Sequence, residues 1–229
     1  MLKLMKLELK KQRLGWYWKG ALIAIFSVLM LMGILPSLDP ELEDAFGSFE
    51  EVFTAMSTFV RVIFVIFAAV LIGKLIIQEY NNKTMSVMFT YPIPRKKLIM
   101  AKLLLIMGIT FITILISNIV IFILFLVLNS FMHLIPGFPT KELLIHQGFD
   151  ILIQGLSAVG ISMVPLYFGM RKKSVSATIV SAIIIISLIS SNNGGFSLSS
   201  FIVIPILVGV IGLLIAYLSF RNVEKVDVI

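Results

Sequence analysis

No cysteine occurs among the 229 residues of this chain, which excludes disulfide bridges and thiolate metal sites. Histidine is scarce as well. His133 and His146 have no metal-ligand spacing between them and are expected in a solvated outer loop. No G-x-x-x-x-G-K-[ST] run is present, so the chain has no P-loop with which to cradle a nucleotide phosphate. Gly73–Lys74 is only a fragment of one. The pair Glu50–Glu51 stands in an acidic gap, away from the base and metal partners that a membrane protease needs. No acid falls at the centre of an apolar stretch, and no internal repeat is visible. Both absences weigh against an ion-driven carrier.

What is present is apolar. Hydrophobic residues make up 59 % of the chain, far above a soluble domain. They gather into six stretches, roughly Gly20–Leu35, Phe59–Ile77, Leu98–Leu128, Ile151–Phe168, Ser174–Ile189 and Phe201–Tyr217. At about 1.5 Å per helical residue, most are long enough to cross a hydrocarbon core of about 30 Å. Lipid offers a bare amide no partner, so these runs are expected as helices. Ser174–Ile189 is the shortest. Leu98–Leu128 is too long for one straight crossing, and its first turns, with Lys102, are expected in the inner interface. Pro165 and Pro205 are expected to kink the fourth and sixth spans. The length leaves room for one transmembrane domain, residues 1–229. No small-residue cleavage site follows the first stretch, which reads as a retained helix.

The charges between the stretches set an orientation. Lys3, Lys6, Lys10, Lys11, Arg13 and Lys19 precede the first, against the single acid Glu8. The next gap, 36–58, holds Asp39, Glu41, Glu43, Asp44, Glu50 and Glu51 with no Lys or Arg. Lys83, Arg95, Lys96 and Lys97 follow the second stretch, and Arg171, Lys172 and Lys173 the fourth. Of the 19 basic residues, all but Arg61 and Lys141 fall on or near one side. By the positive-inside rule both termini are cytoplasmic and the chain is a multi-pass protein of the cell membrane. The net charge of +7 is thus membrane topology, with no nucleic acid needed to explain it. Arg61 and Lys74 lie near opposite ends of the second stretch. Each is expected to snorkel to an interface along its stem, with Arg61 the candidate for an outer gate.

Two segments carry finer information. Residues 1–18 pattern as an amphipathic elbow helix: Lys3, Lys6, Lys10 and Arg13 on one stripe, Leu2, Met5 and Leu9 on another. Trp16, Tyr17 and Trp18 follow as an interfacial belt. Such a helix lies on anionic lipid headgroups. The loop 78–97 is not an ordinary polar turn. Tyr80, Thr84, Val87, Met88 and Tyr91 fall on one face of a short helix that Glu79 would head and that Pro92 and Pro94 end. That apolar face has nothing in its own chain to cover it and is expected to dock on another protein.

At these residues the chain resembles the permease subunits of ABC-2 type transporters. Their first cytoplasmic loop has the form Glu…Thr…Tyr-Pro…Arg-Lys…Lys, here Glu79, Thr84, Tyr91-Pro92, Arg95-Lys96 and Lys102. It looks most like the small Gram-positive members that export amphipathic peptides or confer resistance to peptide antibiotics. The resemblance implies an all-α membrane protein of six transmembrane helices with an interfacial N-terminal helix. It implies that the loop helix is a coupling helix, with Glu79, Tyr80, Thr84, Val87, Met88 and Tyr91 facing an ABC ATPase. It implies two ATPase subunits, which hold ATP and Mg, and a second permease, identical or related. On that reading the chain is no enzyme and binds no cofactor. It moves an amphipathic or hydrophobic substrate outward. The alternative is a non-transporting membrane scaffold or sensor subunit, which needs no docking helix.

The orientation is open to direct test, because introduced cysteines have no native background. Cysteine at Glu43 or Thr140 is expected to react with an impermeant thiol reagent outside intact cells, and cysteine at Asn82 or Lys172 to stay unlabelled. The reverse pattern would overturn the topology.

Overall fold

The computed structural model describes residues 2–11, 15–38, 47–81, 95–132, 134–190, 192–193, 196–197 and 203–221. These are helical almost throughout, as lipid-facing backbone must be. The helices are α1 (Leu2–Lys11), α2 (Gly15–Leu38), α3 (Phe49–Ile72), α4 (Gln78–Asn81), α5 (Arg95–Met132), α6 (Lys141–Ile161), α7 (Val164–Lys172), α8 (Val175–Ser190) and α9 (Val203–Arg221). A π-helical turn, Gly73–Ile77, joins α3 to α4 without a break. Two short strands, β1 (Asn192–Asn193) and β2 (Phe196–Ser197), pair antiparallel before α9.

Four helical runs are long and apolar enough to cross a membrane: Gly15–Ile34, Phe49–Tyr80, Lys96–Met132 and Lys141–Lys172. The chain is therefore a multi-pass membrane protein. The fifth and sixth apolar stretches form shorter helices, Val175–Ser190 and Val203–Ser219. With 38 residues, α5 is about 57 Å long at the helical rise. It outruns a bilayer core, as its sequence requires.

Local chemistry explains the boundaries. Ser48 caps α3 by accepting from the Glu51 N–H at 3.3 Å, with Glu50 and Glu51 in the first turn. These acids thus meet the positive end of the helix dipole. Thr140 caps α6 in the same way, with Glu142 behind it. Ser162 and Met163 interrupt the fourth apolar stretch just before Pro165, which stands in the first turn of α7. Proline lacks the N–H that would continue α6. Pro205 is the third described residue of α9.

Packing divides into two apolar clusters along the bundle. One, toward the acidic end, gathers Phe53, Phe64, Phe125 and Met56. Phe53 stacks on Phe122 there, with ring centroids 4.3 Å apart. The other gathers Tyr17, Leu71, Ile72, Leu75, Ile106 and Leu166 at the basic end. Helices α6 and α9 cross backbone to backbone. A Cβ on Gly160 would strike the carbonyl of Gly209, and one on Gly209 would come within 3.0 Å of the Ser157 carbonyl. Only glycine permits that approach, the usual device where lipid gives no hydrophobic drive. Gly212 belongs to the same crossing, opposite Gly160.

Candidate functional site

The basic gaps meet at one end of the bundle, and their charges are joined there. Lys102, on α5, has no exposed surface. Its Nζ donates to the Leu75 carbonyl at 3.0 Å and to Glu79 Oε2, and lies 3.5 Å from Glu8 Oε1. Glu79 Oε1 accepts in turn from Lys11 Nζ at 3.0 Å. Glu8 and Lys11 are both on α1, three positions apart, so they share a helix face. The result is an alternating chain, Glu8, Lys102, Glu79, Lys11, that closes through α1.

Each element has a reason to be where it is. The π turn widens the helix so that Gly73 O accepts from the Gln78 N–H, five residues on. Such turns break the regular i→i+4 ladder and recur at functional sites. Here Lys102 inserts at Leu75, inside that turn. Gly73 lets α8 close in: a Cβ there would lie 2.6 Å from Val175 Cγ1. Tyr17, fully buried, pegs α2 to α5 through a 3.0 Å hydrogen bond between its hydroxyl and that of Thr113. The expected aromatic belt is thus only partly interfacial. Trp16 and Trp18 are exposed, while Tyr17 faces inward. Lys74 lies 3.8 Å from the Trp16 ring centroid, a cation–π contact.

The structure also redistributes the expected site residues. Glu79 does not head a separate helix. It sits in the short continuation α4 of a run that begins at Phe49, and its carboxylate meets Lys102 and Lys11 rather than a helix N-terminus. Tyr80 follows it, with Lys173 Nζ 5.5 Å from its ring, which brings the α7–α8 turn to the same place. Thr84, Val87, Met88 and Tyr91 lie outside the described residues. On α1 the expected apolar stripe is divided: Met5 packs partly buried against the basic-end cluster, while Leu9 is 45 % exposed and the acid Glu8 only 4 % exposed. Arg61 does not snorkel. It is buried, and its Nη1 donates to Gln154 Oε1 on α6 at 2.9 Å. His146 lies on α6, not in a loop, with Nδ1 3.1 Å from Asp150 Oδ2. His133 lies outside the described residues.

Sequence reasoning missed Glu8, and the signal was available. It is the one acid among the bases of the first segment, three positions before Lys11.

Comparison with known proteins agrees with this architecture. The family model of the ABC-2 family transporter proteins matches residues 4–188. An uncharacterized protein of Bacillus subtilis (strain 168), YcbO, is 47 % identical over 225 residues, covering 98 % of this chain and 99 % of that protein. No solved structure matches the chain. The chain belongs to the ABC-2 transporter permease family. Its members are transmembrane transport subunits rather than catalytic ones, and they typically work with an ABC ATPase.

Removing one member of a buried ion pair strands the others, at about 3–5 kcal/mol, whereas replacing the whole set by apolar or neutral groups is close to neutral. Lys102→Met alone is therefore expected to destabilise the protein by about that amount. The combined variant Glu8→Gln, Glu79→Gln, Lys102→Met is expected to recover most of the loss. Thermal unfolding in detergent micelles checks both. Equal stability of Lys102→Met and wild type would show that these charges are hydrated.

Proposed function

We propose that this chain is the membrane-spanning half of an ATP-driven exporter, working as a pair of permeases with two ATPase subunits. The observation that carries the reading is the union of Glu79 with Lys102. The two stand 23 positions apart, so their contact closes both ends of the basic, proline-bearing segment between them. Lys11 and Glu8 brace that closure from α1. A push on that segment would reach the bundle through its two joined feet. The expected coupling residues, Tyr80, Thr84, Val87, Met88 and Tyr91, fall between those feet in the sequence.

The rest of the reading follows from the chain's chemistry. Six crossings with both termini inside put the braced end on the cytoplasmic face, where an ATPase supplies the hydrolysis for which this chain has no P-loop. ATP and Mg belong to that partner. One six-helix half encloses no path, so a second permease, identical or related, completes it. The apolar interior suits an amphipathic or hydrophobic substrate, and the acidic outer gap would draw a cationic peptide or peptide antibiotic toward the membrane.

The experiment targets the docking face. Met88→Asp would place an unpaired charge in an apolar groove, costing several kcal/mol when fully buried. The variant is expected to insert normally yet fail to co-purify its ATPase. Asn82→Asp, off the apolar face, is expected to be nearly silent. Wild-type recruitment and transport by Met88→Asp would make the segment an ordinary connection. A wild-type chain that recruits no ATPase would favour the scaffold or sensor reading.

A further inference from the structure

Arg61 stands about 18 Å along α3 from its start at Phe49, counted at the helical rise, and only 2 % of its surface is exposed. One of its donors is satisfied: Nη1 is held by Gln154 Oε1 at 2.9 Å. The other two nitrogens, Nε and Nη2, are buried with no hydrogen-bond partner. These two are not an arbitrary pair. In a planar guanidinium the Nε–H and an Nη2–H point the same way, in parallel, and form the fork that receives both oxygens of a carboxylate or phosphate. Gln154 therefore fixes one edge of the group and leaves the anion-binding edge buried and unpaired.

The surroundings sharpen the point. Val60, Phe64 and Val65, beside Arg61 on α3, are buried members of the apolar cluster and offer no counter-charge. A polar seam leads outward from the site along the same pair of helices. Seven positions before Arg61 and Gln154, Thr54 and Gln147 meet at 3.4 Å, with the same offset of 93 between the partners. Ser57 lies between them on α3, its hydroxyl donating to Phe53 O. Lys102, the other buried cation among the described residues, has its acceptors. A buried arginine with two unpaired donors calls for an acceptor.

We propose that Arg61 anchors the anionic head group, carboxylate or phosphate, of an amphipathic ligand that reaches it along the α3–α6 seam. The inference rests on the transport reading only in taking that ligand as cargo. The anion supplies the missing acceptor oxygens and the missing charge together, and no covalent change is involved.

The test uses the full chain in phosphatidylcholine nanodiscs, without an ATPase. Dodecanoate, dodecyl phosphate and dodecyl maltoside compete against a fluorescent fatty acid. The two anions are expected to compete at least about tenfold better than the maltoside, the scale of charge-assisted hydrogen bonds. Arg61→Met is expected to abolish the preference. Arg61→Lys is expected to weaken it, since a point charge lacks the fork, and it decides the matter should Arg61→Met fail to fold. Repeating the assay in phosphatidylglycerol separates the sources. Loss of dodecanoate competition there assigns the site to the bilayer's own phosphate, and retention assigns it to cargo. Equal competition by all three amphiphiles in the wild type, or an undiminished anion preference in either variant, would overturn the proposal. Either result would leave the permease reading standing, because that reading is judged by ATPase recruitment.

Discussion

Lipid cannot hydrate an ammonium group, so Lys102, with no exposed surface, must find its acceptors inside the protein. That constraint organises the basic end of the molecule. It calls for a backbone carbonyl, which the π turn at Gly73–Ile77 places at Leu75. It calls for a carboxylate, which Glu79 supplies from the end of the same helical run. It draws in Glu8, and with Glu8 the whole of α1, which would otherwise only rest on headgroups. Lys11 then restores the charge balance on Glu79. A buried ion pair adds little net stability compared with an apolar replacement. Its value here is positional, since three separate segments are fixed to one point.

The opposite end, where the acids lie, is held by helix caps and neutral hydrogen bonds. Ser48 and Thr140 start their helices there, and Asn129 pins the following turn with two hydrogen bonds to Ile135, at 3.0 and 2.8 Å. A cavity of about 680 Å³ opens beside that turn, lined by Phe49, Leu126, Pro136 and Phe138 among others. The two ends therefore differ in kind. One is tied by charge to fixed partners, while the other is an apolar mouth held by hydrogen bonds. Arg61 lies between them, on the seam of α3 with α6.

Much of this was legible in the sequence, for definite reasons. Apolar runs longer than a bilayer and alternating gap charges are local quantities, so the helical class and the grouping of the basic gaps could be read directly. The pair Glu79 and Lys102 was visible as the two ends of one motif, though not as a contact. What stayed hidden depends on which way a helix face turns. Arg61 and Lys74 look alike in sequence, yet one faces α6 and the other Trp16. Tyr17 sits between two exposed tryptophans and still points inward, because Thr113, 96 residues away, takes its hydroxyl. Glu8 stood out as the one acid among the bases of its segment, but its partner on α5 did not. Small residues abound in apolar helices, so the Gly160–Gly209 crossing could not be singled out by spacing.

The central claim is that α1 and both feet of the 78–97 segment form one mechanical body. Spin labels at Lys10 on α1 and Lys97 on α5, both exposed and free of native cysteine background, measure it directly by pulsed electron resonance. The account predicts a single narrow distance that stays the same in the nucleotide-free and ATP-bound complex, and that broadens in Lys102→Met. A broad distribution in the wild-type chain, or a distance that changes with nucleotide, would contradict it.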